Sequence, residues 1–487
     1  MTPPLVVASN RGPLTFERDE RNDLVARRGS GGLVTALSGA LQQAEGVWVA
    51  AAMSDGDREK VAQSRGGRIE HREGDEAYRL RYLDIAPETY DGYYNGISNG
   101  VLWFVHHYLW DTVRSPSFGE GVEQAWNDYV EVNRAFASAL AEEGSALGGE
   151  PAFLVQDYHL ALVPRFLREL NPGALIAHFS HTSIAGPTYM RMLPVTIHEQ
   201  LIRGLLGADV LGFHSPAWAE NFLLSARLLP GVRVDLARSR IVTEGRQIVV
   251  RIHPISVDAR AMRETAQSRE VRDLRHELNR WRNNNRLIVR VDRLELTKNI
   301  VRGFQAYELL LHRNPSWVGR VRFLALLSPS RMELPEYQEY TEACVAEADR
   351  INRELGQDGW TPIELRVKDD YLGAIAAYGL YDVLFVNPVI DGMNLVAMEG
   401  PVLNRRRGVL VLSRTAGAYG RLGRYAIPVN PFDLDEMADA LETALEMPVD
   451  ERTRRARGLS RLVLANPAAR WVRGQLEDLE RARRRRG

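Results

Sequence analysis

The chain has 487 residues, which is too long for one ordinary hydrophobic core and predicts two domains of roughly 200 to 250 residues each. With 45% hydrophobic residues, 26% charged residues and a formal net charge of −1, the composition gives no electrostatic basis for binding nucleic acid or an anionic membrane. The single cysteine, Cys344, excludes an internal disulfide.

The N-terminal segment, MTPPLVVASNRGP, has no basic region followed by a long apolar run. No part of the chain approaches about 18 uninterrupted apolar residues, which is the length that a membrane-spanning helix needs. We therefore expect a cytoplasmic protein that has no membrane partner.

Short apolar runs alternate with longer helical patterns along most of the chain. Because the runs lack period-2 alternation, they predict strands that helices cover on both faces, as in parallel sheets. The predicted fold class is therefore α/β. The predicted strands span residues 5–10, 152–157, 174–181, 208–215, 286–294, 321–328, 363–368, 382–388 and 408–413.

A short hairpin and a crossover that contains proline are predicted near residues 240–258, and they mark a break between domains. We predict two doubly wound, Rossmann-like domains, over residues 1–245 and 246–465, which face each other across a cleft. The last helix, at about residues 466–487, is expected to pack back on the N-terminal domain. Its terminal RARRRRG run is most simply a solvated helix end.

Ligands of such sheets bind beyond the carboxyl ends of the strands, so the residues that follow each strand are the first candidates. The strand at 5–10 leads to Arg11 and then to a glycine-rich turn before an amphipathic helix, with Gly31 and Gly32 in the turn. Such a turn presents backbone N–H groups to a phosphate, although glycines before a helix are often only a cap. No Gly-Lys-Ser/Thr sequence follows, so the turn is not a P-loop.

The strand at 286–294 carries one cation near its end, Arg293, and the loop after it carries a second, Lys298, five residues later. Together they can clamp a diphosphate and neutralise a leaving group, whereas the alternative is a solvated loop. Lys298 is one of only three lysines among 62 basic residues, which favours a position that needs a compact ammonium group.

The stretch FVNPVIDGMNLVAMEGP, residues 385–401, leaves a buried strand and enters a helix. We expect the backbone N–H groups of Met393, Asn394 and Leu395 to be unpaired helix donors that face an anion. Asp391 can accept hydrogen bonds from sugar hydroxyls, and Glu399 can reach a ribose. The alternative for Asn394 is an ordinary N-cap.

Several blocks of the sequence, in order along nearly the whole chain, are similar to the trehalose-6-phosphate synthases. They include SNRGP, GSGGLVTAL, YYNGISNGVLWFVHHY, VQDYHLALVP, LLGADVLGFHSPAWAENFL, DRLELTKNIVRGFQAYELLL and VNPVIDGMNLVAMEGP. These proteins are retaining glycosyltransferases with the two-domain GT-B fold. The resemblance implies retaining transfer of glucose from a nucleotide diphosphate glucose to the anomeric hydroxyl of glucose 6-phosphate, without a cofactor, a metal or a protein nucleophile.

The resemblance also implies roles for individual residues. The catalytic set would be Arg293, Lys298, Asp157, His181 and Asp391. The donor would be bound by Gly31, Gly32, Arg293, Lys298, Asp369, Asp370, Asp391, Gly392, Met393, Asn394, Leu395 and Glu399. The acceptor would be bound by Arg11, Tyr94, Trp103, Asp157 and Arg331.

Three positions depart from the family pattern and raise the possibility of an altered donor or acceptor. They are the HTSIAGP loop after His181, Asn299 where glycine is usual, and Met398 where lysine is usual. Asp369 and Asp370 lie where the base would bind. A carboxylate pairs with the amide and amine edge of guanine, so they favour GDP over UDP or ADP, unless they only cap a helix.

Other functions remain open at this point. Relatives on this fold include pseudo-glycosyltransferases that couple a nucleotide-linked cyclitol to a cyclitol phosphate, and another phosphorylated acceptor such as glycerol 3-phosphate is a further alternative. A catalytically silent sugar-phosphate sensor is the alternative of another class. A homo-oligomer is compatible with the sequence.

Overall fold

The computed structural model describes residues 3–29, 34, 37–39, 41, 45–73 and 76–486. Contacts divide the chain into two compact units. The first runs to Ile255 and takes in the segment that begins at Ala468, and the second is Ser256–Pro467. The strand Arg246–Ile252 pairs with its neighbours in the sheet of the first unit, so this unit extends past residue 245.

The first unit contains a ten-stranded sheet among the described residues, in the order β10-β11-β12-β9-β8-β7-β1-β4-β6-β5. Its strands from β12 to β6 are parallel, and antiparallel strands close both edges. In chain order, β1 to β12 are Leu5–Ala8, Leu14–Arg18, Leu24–Arg28, Gly46–Ala51, Arg68–Glu73, Glu76–Leu83, Ala152–Gln156, Leu175–Ser180, Val210–Phe213, Arg233–Asp235, Arg240–Thr243 and Arg246–Ile252. Of these, β2 and β3 form a separate hairpin.

Helices cover this sheet, which explains why β1, β7, β8 and β9 are buried along their whole length. The α-helices are Asp55–Ala62, Pro87–Asp91, Trp103–His106, Glu120–Leu147, Val163–Leu170, Pro187–Met190, Val195–Leu205, Pro216–Ala226 and Ala469–Arg486. The described residues of this unit also form a π-helix, Gly92–Leu102, and a short 3-10 helix, Tyr158–Leu160. In the described part of the chain, no helix combines the length and the apolar character needed to cross a membrane.

The last helix, Ala469–Arg486, belongs to the first unit and contacts β8 and β9. Its Asp478 carboxylate accepts hydrogen bonds from Arg251 Nε at 3.2 Å and from His253 Nε2 at 2.8 Å. Trp471 packs edge-on against Phe179, with the ring centroids 5.0 Å apart. Apolar contact and a buried ion pair therefore hold this helix to the sheet.

The second unit contains a six-stranded, all-parallel sheet in the order β15-β14-β13-β16-β17-β18. Strands β13 to β18 are Arg286–Arg293, Val321–Ser328, Ile363–Val367, Val383–Val386, Val409–Ser413 and Ile427–Val429. The α-helices are Ala259–Thr265, Arg269–Arg282, Ile300–Arg313, Pro335–Leu355, Tyr371–Tyr378, Val396–Leu403, Tyr419–Leu422, Leu434–Glu446 and Val449–Leu464; the 3-10 helices are Leu296–Lys298 and Pro315–Trp317.

Both sheets are doubly wound, and each has a point where the strand order reverses. In the first sheet the reversal lies between β1 and β7, and in the second it lies between β13 and β16. The chains that leave these four strands diverge and open a crevice at the carboxyl edge of each sheet. Arg11 and Asp157 follow β1 and β7, whereas Arg293 and Asp391 follow β13 and β16. The predicted site residues therefore lie at the two switch points.

Candidate active site

Asp157, which follows β7, adopts a backbone conformation that is unusual for a residue with a side chain. Its φ of 69° and ψ of 170° fall in a region that is essentially restricted to glycine and costs roughly 1–3 kcal/mol. The surrounding structure fixes this conformation. The Asp157 N–H donates to the Phe179 carbonyl at 2.7 Å, and the Asp157 carbonyl accepts from Leu160 N–H at 3.1 Å.

His178, on the neighbouring strand β8, also holds Asp157, and no sequence pattern marked it as a site residue. Its Nε2 lies 3.0 Å from the Asp157 carbonyl oxygen. A carbonyl can only accept, so Nε2 carries the proton and Nδ1 carries a lone pair. Burial lowers the pKa of His178 to about 4, although the Asp157 carbonyl opposes the shift, so the ring is neutral at pH 7.

A small cavity of about 30 Å³ lies behind this pair, and its lining includes His106, His178 and Ser225. Within the described residues, His106 Nδ1, His178 Nδ1 and Ser225 Oγ are buried without a protein hydrogen-bond partner. A cavity of this size has room for roughly two water molecules, and buried polar atoms of this kind are usually satisfied by water.

His181, a predicted donor-binding residue, lies directly beside Asp157. Its backbone N–H donates to Asp157 Oδ1 at 3.1 Å, and its Nε2 lies 3.0 Å from Gln156 Oε1. Burial, with smaller effects of His214 and His178, lowers the pKa of His181 well below its ordinary value. The imidazole is therefore neutral at pH 7 and suits hydrogen bonding to a sugar rather than charge pairing.

The predicted acceptor residues of the first unit surround the same edge of the sheet. Arg11 is exposed, and its carbonyl accepts from the Ser9 hydroxyl at 2.7 Å. Tyr94 lies on the π-helix and stacks with His159, with the ring centroids 5.7 Å apart. Trp103 is buried, and its indole ring lies 3.8 Å from the His107 ring. A π-helix is frequently found at functional sites, because it re-aims side chains.

In the second unit, the buried carboxylate of Glu295 organises the cations. Glu295 Oε1 lies 3.0 Å from Arg293 Nη1 and 2.6 Å from Arg331 Nη1. Burial disfavours the charge, but these two arginines, Lys298 and the Ser330 hydroxyl outweigh it and hold the pKa of Glu295 well below its usual range. Glu295 is fully buried, whereas the Arg293 side chain is 55% exposed and available to a ligand.

Arg331 was predicted to bind the acceptor together with Arg11, Tyr94 and Trp103. The structure places it in the second unit, on the same carboxylate as Arg293. Its φ of 49° is in the left-handed region, which directs the side chain back towards Glu295. Arg331 therefore lies beside Arg293, which is predicted to bind the diphosphate. Its role in binding the acceptor stays a prediction.

Lys298 and Asp391 form a second ion pair in this site. Lys298 Nζ lies 2.5 Å from Asp391 Oδ2, and both side chains are only 12% exposed. Burial would lower the pKa of Lys298, but Asp391, Glu295 and Asp292 reverse the effect and raise it. The ammonium group is therefore charged at neutral pH. In the protein without substrate, the predicted diphosphate cation and the predicted sugar-binding carboxylate are partners.

The loop from Asp391 to Leu395 is held rigidly. The Gly417 N–H donates to the Asp391 carbonyl at 3.0 Å, and a Cβ on Gly417 would lie 2.0 Å from the Gly392 carbonyl oxygen. The Met393 N–H, which was predicted to face an anion, donates to Asp391 Oδ1 at 3.3 Å. Asn394 Oδ1 accepts from Ala397 N–H at 3.1 Å, although Asn394 lies one residue before the N-cap, Leu395, and is therefore not the ordinary N-cap of the helix Val396–Leu403.

Arg290 and Asp292 form a further buried ion pair close to Lys298, and neither residue was predicted from the sequence. The guanidinium of Arg290 is fully buried in β13, 3.3 Å from Asp292, and donates to Asn387 and, at 3.1 Å, to the Lys298 carbonyl. Burial raises the pKa of Asp292 to about 6, against the effect of Arg290 and Lys298. The sequence feature that could have identified this pair is an arginine among the apolar residues of a strand. A charged residue is rarely buried without a partner, so this position predicts a buried ion pair.

The residues predicted to bind the nucleoside have different environments. Asp370 Oδ1 accepts from Gly373 N–H at 2.8 Å, and its Oδ2 lies 3.0 Å from Lys368 Nζ, so Asp370 is an N-cap. Asp369 is exposed. Glu399 accepts a hydrogen bond from the Tyr378 hydroxyl at 2.8 Å, and burial raises its pKa. Gly31 and Gly32 lie outside the described residues.

Two of the three departures from the family pattern now have structural explanations. Asn299 has a φ of 59° and a ψ of 43°, which asparagine adopts at little cost, and its amide donates to the carbonyls of Asn387 and Pro431. Met398 is 1% exposed and belongs to the core. In the HTSIAGP loop, Ile184 and Ala185 are buried. The first two changes are therefore conformational or core substitutions and give no evidence for an altered sugar.

Comparison with known proteins identifies the family. The model of Glycosyltransferase family 20 matches residues 3–481. The chain belongs to this family. This agrees with the prediction of a glycosyltransferase of the trehalose-6-phosphate synthase family.

Curated relatives of this family 20 chain carry two kinds of name. The trehalose-6-phosphate synthase of Mycobacterium sp. (strain KMS) is 36% identical over 97% of this chain and 94% of its own length. The validamine 7-phosphate valienyltransferase of Streptomyces hygroscopicus subsp. jinggangensis is 31% identical over 98% and 94%. The UDP-forming alpha,alpha-trehalose-phosphate synthase A of Dictyostelium discoideum is 30% identical over 98% of this chain, which spans only 62% of that protein.

Solved structures agree with the fold. A trehalose-6-phosphate structure from E. coli bound with UDP-2-fluoro glucose superposes with a TM-score of 0.83 at 29% identity, covering 98% of both chains. A UDP-forming alpha,alpha-trehalose-phosphate synthase from Burkholderia xenovorans in complex with glucose-6-phosphate also gives 0.83 at 28% identity, covering 98% of this chain and 100% of that one. The predicted α/β fold of the GT-B class is confirmed.

The strained backbone of Asp157 predicts that two substitutions which remove the same carboxylate differ in their free energy of unfolding. Only glycine adopts this conformation freely, so Asp157→Gly should have a free energy of unfolding at least about 1 kcal/mol higher than Asp157→Ala. Urea denaturation of both variants measures the difference. Equal unfolding free energies would mean that the conformation is not strained.

His178 predicts a dependence of stability on pH. Between pH 6.5 and about 4 the unfolded chain binds a proton that the folded protein excludes, so the free energy of unfolding falls as the pH falls. His178→Gln keeps a donor for the Asp157 carbonyl but does not titrate. Denaturation at several pH values should therefore show a slope that is smaller in the variant by up to about 1.4 kcal/mol per pH unit. Identical slopes would contradict the buried neutral state.

The buried charge of Glu295 predicts that a substitution of the same shape but without the charge destabilises the protein. Glu295→Gln should lower the free energy of unfolding by about 1–3 kcal/mol, because Arg331 keeps a buried charge whose partner has become neutral. The control is Glu451→Gln, which removes a partly exposed acid that also has two arginine partners and should change stability much less. Similar losses in both variants would argue against a special role for Glu295.

Proposed function

We propose that this chain is an alpha,alpha-trehalose-6-phosphate synthase, which transfers glucose from a nucleotide diphosphate glucose to glucose 6-phosphate with retention of configuration. The observation that carries the proposal is the second switch point, where Arg293, Lys298 and Asp391 lie together in a family 20 chain. The names of the mycobacterial relative and of the two ligand-bound structures support the same substrates.

The diphosphate of the donor would bind between Arg293 and Lys298. Arg293 offers an exposed guanidinium that Glu295 already orients. A phosphate oxygen at Lys298 replaces the Asp391 carboxylate as its partner and leaves that carboxylate to accept hydrogen bonds from sugar hydroxyls. Both cations then neutralise the charge that develops as the diphosphate leaves, which is electrostatic stabilisation of the transition state.

The acceptor would bind at the first switch point. The exposed guanidinium of Arg11 suits a phosphate monoester, and the Asp157 carboxylate suits sugar hydroxyls. The fixed conformation of Asp157 aims that carboxylate without any cost at the moment of reaction, so its contribution is positioning. No protein nucleophile is needed, because an oxygen of the departing diphosphate can take the proton of the acceptor hydroxyl.

UDP-glucose is the donor that the observations favour over GDP-glucose. The case for guanine rested on Asp369 and Asp370, but Asp370 already caps a helix and pairs with Lys368. The Dictyostelium and Burkholderia relatives are UDP-forming, and the E. coli structure carries a UDP sugar. Asp369 alone provides a weaker argument for a guanine edge.

A second candidate function is the coupling of a nucleotide-linked cyclitol to a cyclitol phosphate, in view of the valienyltransferase relative. The retained Asp391–Asn394 loop favours glucose as the donor group. The cytoplasmic location, the homo-oligomeric state, the absence of a metal or cofactor and the silent-sensor alternative stay as they were predicted from the sequence.

Turnover with UDP-, GDP- and ADP-glucose and glucose 6-phosphate tests the proposal. We expect UDP and trehalose 6-phosphate as products, and we expect Lys298→Met to lower the rate by about 10²–10³-fold. Lys60→Met is the matched control, because Lys60 is one of the three lysines and lies in the helix Asp55–Ala62 of the first unit.

The outcomes separate the alternatives. If only GDP-glucose gives product, the donor is a GDP sugar and Asp369 is the candidate residue for recognising guanine. Coupling only with a nucleotide-linked cyclitol would support the second candidate. Tight nucleotide binding without turnover of any donor would overturn both transferase functions in favour of a sensor.

A further inference from the structure

A pocket of about 280 Å³ lies in the second unit, away from the residues described so far. Arg263 contributes from the helix Ala259–Thr265, Arg405 and Arg407 from the loop after Val396–Leu403, and Arg457 from a later helix. Asn404, Thr453 and Ser460 add polar groups. The loop leads directly into the first residue of β17, so the pocket lies at the amino edge of the sheet, opposite Arg293 and Asp391.

The four arginines of this pocket lack counter-charges. Across the residues that the structure describes, no carboxylate forms an ion pair with Arg263, Arg405, Arg407 or Arg457. By contrast, Arg454 lies on the same helix as Arg457 and pairs with Glu451 at 2.6 Å. The pocket therefore has an excess of four positive charges.

The adjoining interior increases this excess. Asp382, which is 1% exposed, is the one carboxylate on which Arg282, Arg286, Arg406 and Arg452 converge, at 3.8, 3.1, 3.3 and 3.1 Å. One negative charge thus faces four positive charges. Arg406 lies in the chain between Arg405 and Arg407, so the cluster around Asp382 and the pocket are adjacent.

Several buried donors in this cluster have no acceptor. Within the described part of the chain, Arg282 Nε and Nη1 and Arg406 Nε are buried without a hydrogen-bond partner, and Arg282 is only 5% exposed. Burial and repulsion from Arg406 lower the pKa of Arg282, although Asp382 opposes the shift. The pKa of Arg275 is also lowered, by burial and by Arg405 and Arg272. The guanidinium groups therefore repel one another at close range.

We propose that this pocket is a binding site for a phosphorylated small molecule that carries two or more negative charges, as a phosphate monoester or a diphosphate. A guanidinium offers paired N–H donors that match phosphate oxygens, and its hydrogen bonds to an anion are stronger than neutral ones. The volume is close to the lower limit for small-molecule pockets, which fits a sugar phosphate or diphosphate better than a dinucleotide. A dianion also relieves the repulsion among the arginines.

The site is separate from the proposed active site but connected to it. The helix Val396–Leu403 has eight residues, which correspond to a length of about 12 Å. Asn394 and Leu395 precede its first turn, and the loop with Arg405 and Arg407 follows its last turn. A ligand in the pocket would therefore not compete with one at Arg293 and Lys298, and it would stabilise the far end of the same helix.

Titration calorimetry with inorganic pyrophosphate tests the site. The variant Arg293→Gln/Lys298→Gln provides the background, since it lacks the two cations proposed to bind the diphosphate at the active site. In this background we expect one pyrophosphate per chain. Adding Arg405→Gln/Arg457→Gln should weaken binding by at least about tenfold, because each lost charge-assisted hydrogen bond contributes about that much.

The matched control is Arg260→Gln/Arg454→Gln, which changes net charge equally and lies on the two helices that carry Arg263 and Arg457, but outside the pocket. Arg260 pairs with Glu264 and Arg454 with Glu451. We expect this control to weaken binding by less than about twofold. Sodium chloride at matched ionic strength corrects for general screening.

Two results would overturn the proposal. Equal weakening in both double variants would mean an adventitious ion held only by diffuse surface charge. No heat of binding in the background variant at low salt would mean that no site exists. Thermal melting of each variant shows whether it folds, and if Arg405→Gln/Arg457→Gln does not, Arg263→Gln alone takes its place with the same expected weakening.

Discussion

Buried cations need counter-charges even when no substrate is present, and this requirement organises the second unit. Glu295 holds Arg293 and Arg331, Asp292 faces Arg290, and Asp391 pairs with Lys298. Taking a charge out of water costs several kcal/mol, so each partner is needed to keep the site folded. The same partners aim the guanidinium and ammonium groups before a ligand arrives.

Residues that directly follow apolar strands were predictable, because a doubly wound sheet brings the ends of its central strands together. Arg11, Arg293 and Asp391 were found in this way, whereas Asp157 was implied by the family resemblance; the structure places all four at the two switch points. The helix-cap alternative for Asp370 was also predictable from residue type.

Groups whose importance depends on burial were not predictable. Glu295 reads as an ordinary polar loop residue, yet it is fully buried between two arginines. The role of His178 depends on which strand lies beside β7, and that pairing is a long-range property. The left-handed conformation of Asn299 explains why asparagine replaces glycine there, but a dihedral angle cannot be inferred from a substitution alone.

The ion pair between Lys298 and Asp391 also has a kinetic consequence. A glycosyltransferase that cleaves a nucleotide sugar must release a nucleoside diphosphate, which binds cations tightly. Asp391 lies 2.5 Å from the ammonium group and can take it back as soon as the sugar leaves. In the proposed reaction, the carboxylate would therefore compete with the product diphosphate for Lys298 and so speed product release.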